Sequence, residues 1–252
     1  MSSALLQGTT AWHAARRGKL TASNVGAALG LCPWTSRQTA LLRGLGLDTF
    51  TGNDATKWGT ANESNGVLAY SAHTGNLVDS TGLHVHPDTE WLAGSPDGLV
   101  GDEGLIEVKC PFYRRKDGSR LHKEIPMYYY LQMALCLECT SRKWCDFVSW
   151  SPDAHVVYRV TRDEDLHEIL LPHYLQFFAA MSRNANAPPP MSKVVAQSIK
   201  SAVEESMQRH VDYDYWRNVD PSDLPPLEEG EIEEPPAKRQ CADRGDFSRC
   251  SV

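Results

Sequence analysis

The chain of 252 residues predicts an α/β domain followed by a disordered tail, on three observations. Short apolar, partly β-branched runs alternate with longer stretches of helical periodicity, the pattern of a sheet flanked by helices. Hydrophobic content of 41% and charged content of 23% are ordinary for a soluble globular chain, and the length allows one full core plus an extension. From Asn184 the composition changes. The runs Pro188-Pro-Pro and Leu224-Pro-Pro-Leu-Glu-Glu-Gly-Glu-Ile-Glu-Glu-Pro-Pro are proline-rich and acidic, with too few apolar residues for a second core. This places a folded domain at 1–184 and a mostly disordered tail at 185–252. Within the tail one helix is expected over 193–210, and Tyr213, Tyr215 and Trp216 form a docking patch for a partner or for the domain itself.

Residues 1–11 show no periodicity and read as a loose lead-in. Trp12 opens a short helical turn that brings Arg16 and Arg17 toward a second helix over 22–29, whose start holds Thr21 and Ser23. Such an amino end presents free backbone N–H groups and a favourable dipole to an anion. Pro33, Trp34 and Thr35 break the chain before a helix over 36–42, which ends in the glycine-rich stretch at Gly44 and Gly46. Residues 56–74 read as a longer helix with Trp58, Ala61, Val67, Leu68 and Tyr70 as buried candidates and Glu63 near its middle. Strands are expected at 77–85, 91–97 and 104–110. The polar segment 113–123 carries Arg114, Arg115, Lys116, Arg120 and Lys123, a cluster suited to sequence-independent, salt-sensitive phosphate contact. Pro126 stands near the start of a helix to about Glu138. It puts Tyr128 and Gln132 on one face at i, i+4 spacing, with either Leu131, Leu135 and Cys139 or Met133 and Leu137 buried. Strands at 144–150 and 155–160 flank a Ser151-Pro-Asp-Ala turn. A final helix over 162–181 carries Leu166, Ile169, Leu170, Tyr174, Phe177 and Phe178 as a core stripe, with Pro172 placed to kink it.

The chemistry concentrates in Ser95 to Pro111, Ser-Pro-Asp-Gly-Leu-Val-Gly-Asp-Glu-Gly-Leu-Ile-Glu-Val-Lys-Cys-Pro. Gly98, Gly101 and Gly104 punctuate an antiparallel hairpin that folds back about Asp102 and sets Asp97 beside Glu107. Side chains alternate along a strand, so Glu107 and Lys109 share a face about 6.6 Å apart. Two carboxylates held close disfavour each other's ionisation, and a divalent cation of the magnesium or manganese type relieves that cost. A neighbouring lysine can orient a water or steady charge on a scissile phosphate. The chemistry suggested is metal-assisted phosphodiester hydrolysis. A Glu-Val-Lys tripeptide alone is better explained as a same-face ion pair on an exposed strand, since short motifs match by chance.

Asp97, nine residues and then Glu107-Val-Lys, with Ser-Pro-Asp-Gly in front and Cys-Pro behind, resembles the PD-(D/E)XK nuclease motif. More narrowly, it is similar to the phage lambda exonuclease-type (YqaJ-like) viral recombinase family. Three further blocks fit in order: Trp12 to Ser23, Gly59 to Tyr70 around Glu63, and Tyr128 to Thr140 around Gln132, so the likeness spans about residues 12–180. It implies a PD-(D/E)XK restriction-endonuclease-like core, a mixed central sheet flanked by helices. The implied metal ligands are Asp97 and Glu107, joined by the Val108 carbonyl. Lys109 is the implied catalytic lysine and Glu63 an additional acid. Arg16, Ser23 and Ser95 match positions that hold a terminal 5′-phosphate, and Gln132 matches a helix-borne glutamine beside Tyr128, whose side chain could meet the metal centre or a base edge. Where the family often has a second glutamine this chain has Ala134, which touches substrate grip and leaves the cleavage centre intact. The implied activity is a magnesium-dependent, or manganese-dependent, 5′-to-3′ exonuclease on double-stranded DNA ends, acting in recombination. A single-strand annealing protein and a homotrimer are the implied partners. The alternatives are a structure-selective or nicking endonuclease on the same fold, and a non-catalytic DNA-end or protein-binding module.

The net charge of −7 and a pI of about 5.7 exclude a uniformly basic nucleic-acid glove, although acids gathered in a tail distort the total. Seven cysteines and a start without a charged n-region or long apolar run point to a reducing intracellular compartment, and no stretch reaches membrane-spanning length. Cys136 and Cys139 form a Cys-x-x-Cys in an apolar helical run, where cysteine behaves as a small buried hydrophobe rather than a metal ligand. Pro236-Ala-Lys-Arg-Gln holds only two charges and reads as incidental rather than as a nuclear-import element.

Overall fold

In the computed structural model residues 5–48, 51–114 and 118–216 are described. Helix α1 (Thr10–Arg16) starts where the Thr9 hydroxyl accepts from the Trp12 N–H, and it leads through β1 (Leu20–Thr21) into α2 (Ala22–Ala28). The lead-in is less loose than expected, because Leu6 bridges to Gly82, where an added Cβ would lie 2.0 Å from the Leu5 carbonyl oxygen. Helix α3 (Arg37–Leu45) is capped by Ser36 and closed by Gly46 at φ 72°, a left-handed turn that glycine adopts at little cost. Helix α4 (Asp54–Thr74) begins with a reciprocal Asn53–Thr56 capping box.

The inner face of α4 departs from expectation. Gly66, Ala69 and Tyr70 are buried, whereas Ala61 is exposed and Leu68 is 61% exposed. The reason is close approach: a Cβ on Gly66 would lie 2.4 Å from Val108 Cγ1 and 3.4 Å from Trp150 Cβ. Tyr70 is buried as expected, and the small residues Gly66 and Ala69, in place of Ala61 and Leu68, let this helix lie on the sheet.

The segment expected as one strand over 77–85 forms two, β2 (Val78–Asp79) and β3 (His84–Val85), in different sheets. Similarly 91–97 shortens to β4 (Leu92–Gly94), and β5 (Gly98–Val100) follows as a separate strand. Strand β6 (Gly104–Lys109) pairs antiparallel with β5 and parallel with β7 (Trp144–Ser151); the chain crosses between β6 and β7 through α5 (Met127–Thr140). Strand β8 (Ala154–Thr161) turns back from β7, and α6 (Glu164–Ser182) follows from its Asp163 cap. The main sheet is mixed, in the order β2-β5-β6-β7-β8-β9, where β9 is Val211–Trp216, with a smaller sheet β1-β4-β3 beside it.

Helices cover both faces. Leu105 and Phe147 join α2, α5 and α6 in one core, while Ile106, Val108 and Val148 meet Ala69 and Tyr70 of α4 in a second. Both sides proposed for α5 are buried at once, since Leu131, Met133, Leu135, Leu137 and Cys139 are each 5% exposed or less. Cys136 packs against Gly94, where an added Cβ would lie 2.9 Å from its Sγ, and burial pushes the Cys136 and Cys139 thiols up, as suits inert core residues. On α6 the stripe loses Ile169, which is 51% exposed, and Phe178 stacks on Trp91 with centroids 4.7 Å apart. No helix among the described residues is long and apolar enough to cross a membrane.

Residue 184 is not the end of the ordered part, which corrects the expected boundary. Helix α7 (Lys193–His210) forms over the expected range, with Ile199 and Val203 buried in the main core, and β9 (Val211–Trp216) adds to β8. The proline run between α6 and α7 is strapped down: Arg37 Nη1 donates to Pro189 O at 2.7 Å and Gln38 Nε2 to Asn186 O at 3.0 Å. Tyr213 and Tyr215 dock on their own domain, the first edge-on to Tyr158 at 5.0 Å. The acidic run from Leu224, the pair Lys238-Arg239, and Arg115 and Lys116 lie outside the described residues.

Arg159 carries this docking. Its guanidinium lies between the rings of Trp144 and Tyr215, 3.7 and 3.9 Å from their centroids, and donates to both oxygens of fully buried Asp146 at 2.7 and 2.8 Å. Arg159→Leu leaves a buried carboxylate without its cation, though the Tyr70 hydroxyl still donates to it at 2.8 Å, so a loss of about 3–5 kcal/mol is expected in urea unfolding. A cost below about 1 kcal/mol would contradict this account.

Candidate active site

The hairpin that the glycines predicted forms with the expected pairing. Gly98 faces Ile106, Leu99 faces Leu105 and Val100 faces Gly104, with Gly101 at φ 52° in the turn. Asp97 precedes β5 by one residue. Its N–H donates to Ile106 O at 3.1 Å, and its Oδ2 accepts from the Val108 N–H at 2.7 Å, which fixes the side chain at the level of Glu107.

Glu107 is fully buried in the middle of the sheet. Its Oε1 accepts from Lys109 Nζ and from Gln132 Nε2, the latter at 2.5 Å, while its Oε2 is buried with no hydrogen-bond partner. Lys109 lies under the Tyr129 ring, 4.8 Å from the centroid. Strand alternation turns Glu107 and Lys109 to the side that α5 covers, so Gln132 and Tyr129, three residues apart on that helix, reach the pair together. Glu63 comes from α4, which Gly66 allows to lie close to β6.

Electrostatics tie the four groups together. Burial, then Asp97, raises the Glu63 carboxyl to about 7 against the opposing pull of Lys109. Burial, then Asp97, raises Glu107 to about 8, and Glu63 adds to this while Lys109 opposes it. Asp97 is pushed up by burial, with Lys109 and the Val108 N–H pulling the other way. Burial works against the Lys109 ammonium, but Glu107 and Asp97 outweigh it and its pKa rises. Four groups that perturb one another this strongly mark a functional centre more often than a structural ion pair.

The residues fit a hard divalent cation. The donors are carboxylate oxygens, which suit magnesium or manganese, and the orphaned Glu107 Oε2 is the kind of buried acceptor that a cation satisfies. Val108, named for its carbonyl, stands between Glu107 and Lys109 with its N–H on Asp97.

A second cluster assembles around Arg16. Its Nη2 donates to Ser23 Oγ at 2.8 Å and to Thr21 Oγ1 at 3.2 Å, and its guanidinium lies 4.1 Å from the Trp12 ring centroid. Trp12 Nε1 in turn donates to Ser95 Oγ at 2.9 Å, so one indole joins the three positions Arg16, Ser23 and Ser95. Burial lowers the Arg16 pKa to about 10, which leaves it charged at neutral pH. Tyr128 does not join Gln132 at the acids. It packs where α5 crosses α2, its Cβ 2.6 Å from an ideal Cβ on Gly26, and its hydroxyl accepts from Trp34 Nε1 at 3.3 Å. Sequence reasoning gave no role to Trp12, Gly66 or Tyr129. Of these Tyr129 and Trp12 carried usable signals, the i, i+3 spacing of the first to Gln132 and the i, i+4 spacing of the second to Arg16.

Comparison with known proteins follows the same outline. The model of the YqaJ-like viral recombinase domain matches residues 11–143. The crystal structure of an alkaline exonuclease, LHK-Exo from Laribacter hongkongensis, aligns at 30% identity and a TM-score of 0.56, covering 78% of this chain and 99% of that one. The same enzyme in complex with dAMP aligns at 28% identity and a TM-score of 0.58, with the same coverage. An uncharacterized protein of Acanthamoeba polyphaga mimivirus, R354, is 30% identical over 159 residues, which is 57% of this chain. The match spans only 29% of that viral protein's length.

Proposed function

The chain belongs to the YqaJ-like viral recombinase family, and from that premise we propose that it is a metal-dependent DNA exonuclease. It degrades double-stranded DNA from a 5′ end and leaves single-stranded DNA for recombination. One observation carries the reading: a fully buried Glu107, one oxygen held by Lys109 and Gln132 and the other orphaned, beside Asp97 and Glu63. Its structural relative LHK-Exo is an alkaline exonuclease, 30% identical and aligned over 99% of its length.

Asp97, Glu107 and Glu63 would hold a magnesium ion, with manganese as the alternative; Val108 offers its carbonyl at the same level. When bound, the ion supplies charge neutralisation at the scissile phosphate and lowers the pKa of a water. The chain's own residues do the rest. Lys109, charged at working pH, orients the attacking water and steadies the charge that develops on the phosphate oxygens. Gln132 and the Tyr129 ring hold Glu107 and Lys109 in place. Arg16, Ser23 and Ser95 receive a terminal 5′-phosphate. Trp12, bonded to Ser95 and stacked on Arg16, keeps those groups together.

Incubation of the purified chain with linear and circular duplex DNA, with and without magnesium, tests the reading. Degradation restricted to linear DNA in the presence of the ion is expected. Nicked circles would make it an endonuclease, and binding without cleavage a recognition module. For the phosphate pocket, Arg16→Ala is expected to slow digestion of 5′-phosphorylated ends by about 10- to 100-fold, the scale of one charge-assisted hydrogen-bond set, while 5′-hydroxyl ends change little. Equal rates of the unmodified chain on both kinds of end would remove the assignment.

A further inference from the structure

Away from the acid centre, three elements bring together a second group of metal-ligating side chains. His86 follows β3, Glu138 lies in the last turn of α5 and His167 on α6, and one donor atom from each lies within 4.8 Å of the other two. We propose that His86, Glu138 and His167 form a binding site for a zinc-class divalent ion, separate from the hard-ion centre at Glu107 and independent of the nuclease reading.

The ligand chemistry selects the ion. Two imidazoles and one carboxylate form a mixed nitrogen and oxygen set that suits zinc and disfavours magnesium, which seeks oxygen ligands. The histidine rings are stacked, with centroids 5.2 Å apart and planes 11° from parallel, so their nitrogens present side by side. His86 is 8% exposed and Glu138 5%, so the group sits where a bound ion would be largely shielded from water.

Arg162 donates to both Glu138 oxygens at 2.8 and 2.6 Å, which fixes the carboxylate in the manner of an outer-shell partner and leaves further lone pairs on each oxygen. Its charge opposes a cation, but it is also shared with Glu164, 3.4 Å away. The helix end at Glu138 favours positive charge. His86 Nδ1 accepts from the Asp88 N–H at 3.2 Å, so ligation at this ring exchanges one long hydrogen bond for a metal–nitrogen bond, by tautomer shift or directly. An ion here would pin the small sheet to α5 and α6.

The test uses the full chain stripped with a chelator and titrated with zinc against a chromophoric zinc indicator. Asp97→Asn/Glu107→Gln is the background, so that the acid centre is silent. One zinc equivalent is expected, weakened by on the order of 100-fold on adding His167→Gln. His167 is half-buried, so that side chain can be replaced without opening the core. On the unmodified chain, cobalt(II) is expected to give the intense visible band of a low-symmetry nitrogen–oxygen site, and His167→Gln alone to retain magnesium-dependent hydrolysis. The inference is overturned if zinc binds equally with and without His167, if no equivalent binds in the acid-centre background, or if cobalt shows only the weak octahedral band.

Discussion

Asp97→Asn is expected to lower duplex hydrolysis by on the order of 10³-fold at saturating magnesium while leaving the thermal midpoint unchanged or slightly raised. The two halves of that result come from different properties of one side chain. Asparagine keeps an oxygen for the Val108 N–H, now accepted by Asp97 Oδ2 at 2.7 Å, so the hairpin holds its shape. Burial already pushes the Asp97 carboxyl toward its neutral form, so a neutral amide costs the fold nothing in desolvation. What disappears is the charge that neutralises a cation and thereby stabilises the transition state, a loss on the scale of removing a preorganised electrostatic group. Lys109→Met should match the rate loss by another route, because it removes the ammonium that now bonds Glu107 Oε1 and leaves that carboxyl still harder to ionise. Rates from a gel or fluorescence assay, with circular dichroism as the folding control, decide the matter. Retention of a tenth or more of the activity in either variant would remove these residues from the chemistry.

That centre was legible in the sequence because its first layer is local. Gly98, Gly101 and Gly104 announce the hairpin, and strand alternation puts Glu107 and Lys109 on one face without knowledge of the rest of the chain. The second layer was hidden because tertiary packing decides it. Nothing local says that Gly66 must be small; that follows only from Val108 Cγ1 lying 2.4 Å from where its Cβ would be. Tyr128 and Gln132 share a helical face at i, i+4, yet α2 captures the first and Glu107 the second. Strand β9 was missed for a related reason. Asp212 and Asp214 give it a polar look, and the partners that fix it are distant in sequence: Arg159 of the neighbouring strand lies on the Tyr215 ring, and Tyr213 packs edge-on to Tyr158. Ile169 and Leu68 fit a helical stripe by spacing and still face solvent, since periodicity gives the direction of a face but not its width.

Glu107→Gln should stabilise the metal-free chain, increasingly so as pH rises, and the same substitution should abolish stabilisation by magnesium or manganese. The sign follows from proton counting. In the unfolded chain a glutamate titrates near its ordinary value, whereas in the fold Glu63 titrates at about 7 and Glu107 at about 8, burial being the main cause and Asp97 the next. Between the unfolded and folded values the native state binds more protons than the unfolded one. Stability from these groups is therefore full in acid and is lost as pH rises through 7 and 8, by up to about 1.4 kcal/mol per pH unit for each group. Glutamine at 107 removes the largest of these penalties and, with it, the charge a cation needs. Divalent binding must displace the same protons, so its affinity should climb by up to about tenfold per pH unit for each one displaced and level off above pH 8. Thermal midpoints from pH 5.5 to 8.5, with and without manganese, for the unmodified chain and Glu107→Gln, separate the effect from titrating groups outside the acid centre. The expected pattern is a metal-free midpoint difference that widens toward pH 8.5 and a manganese-induced rise that grows over the same range in the unmodified chain alone. A constant difference between the two chains would mean that Glu107 already carries its charge in the metal-free fold. In that event the orphaned Oε2 would need a partner other than a cation.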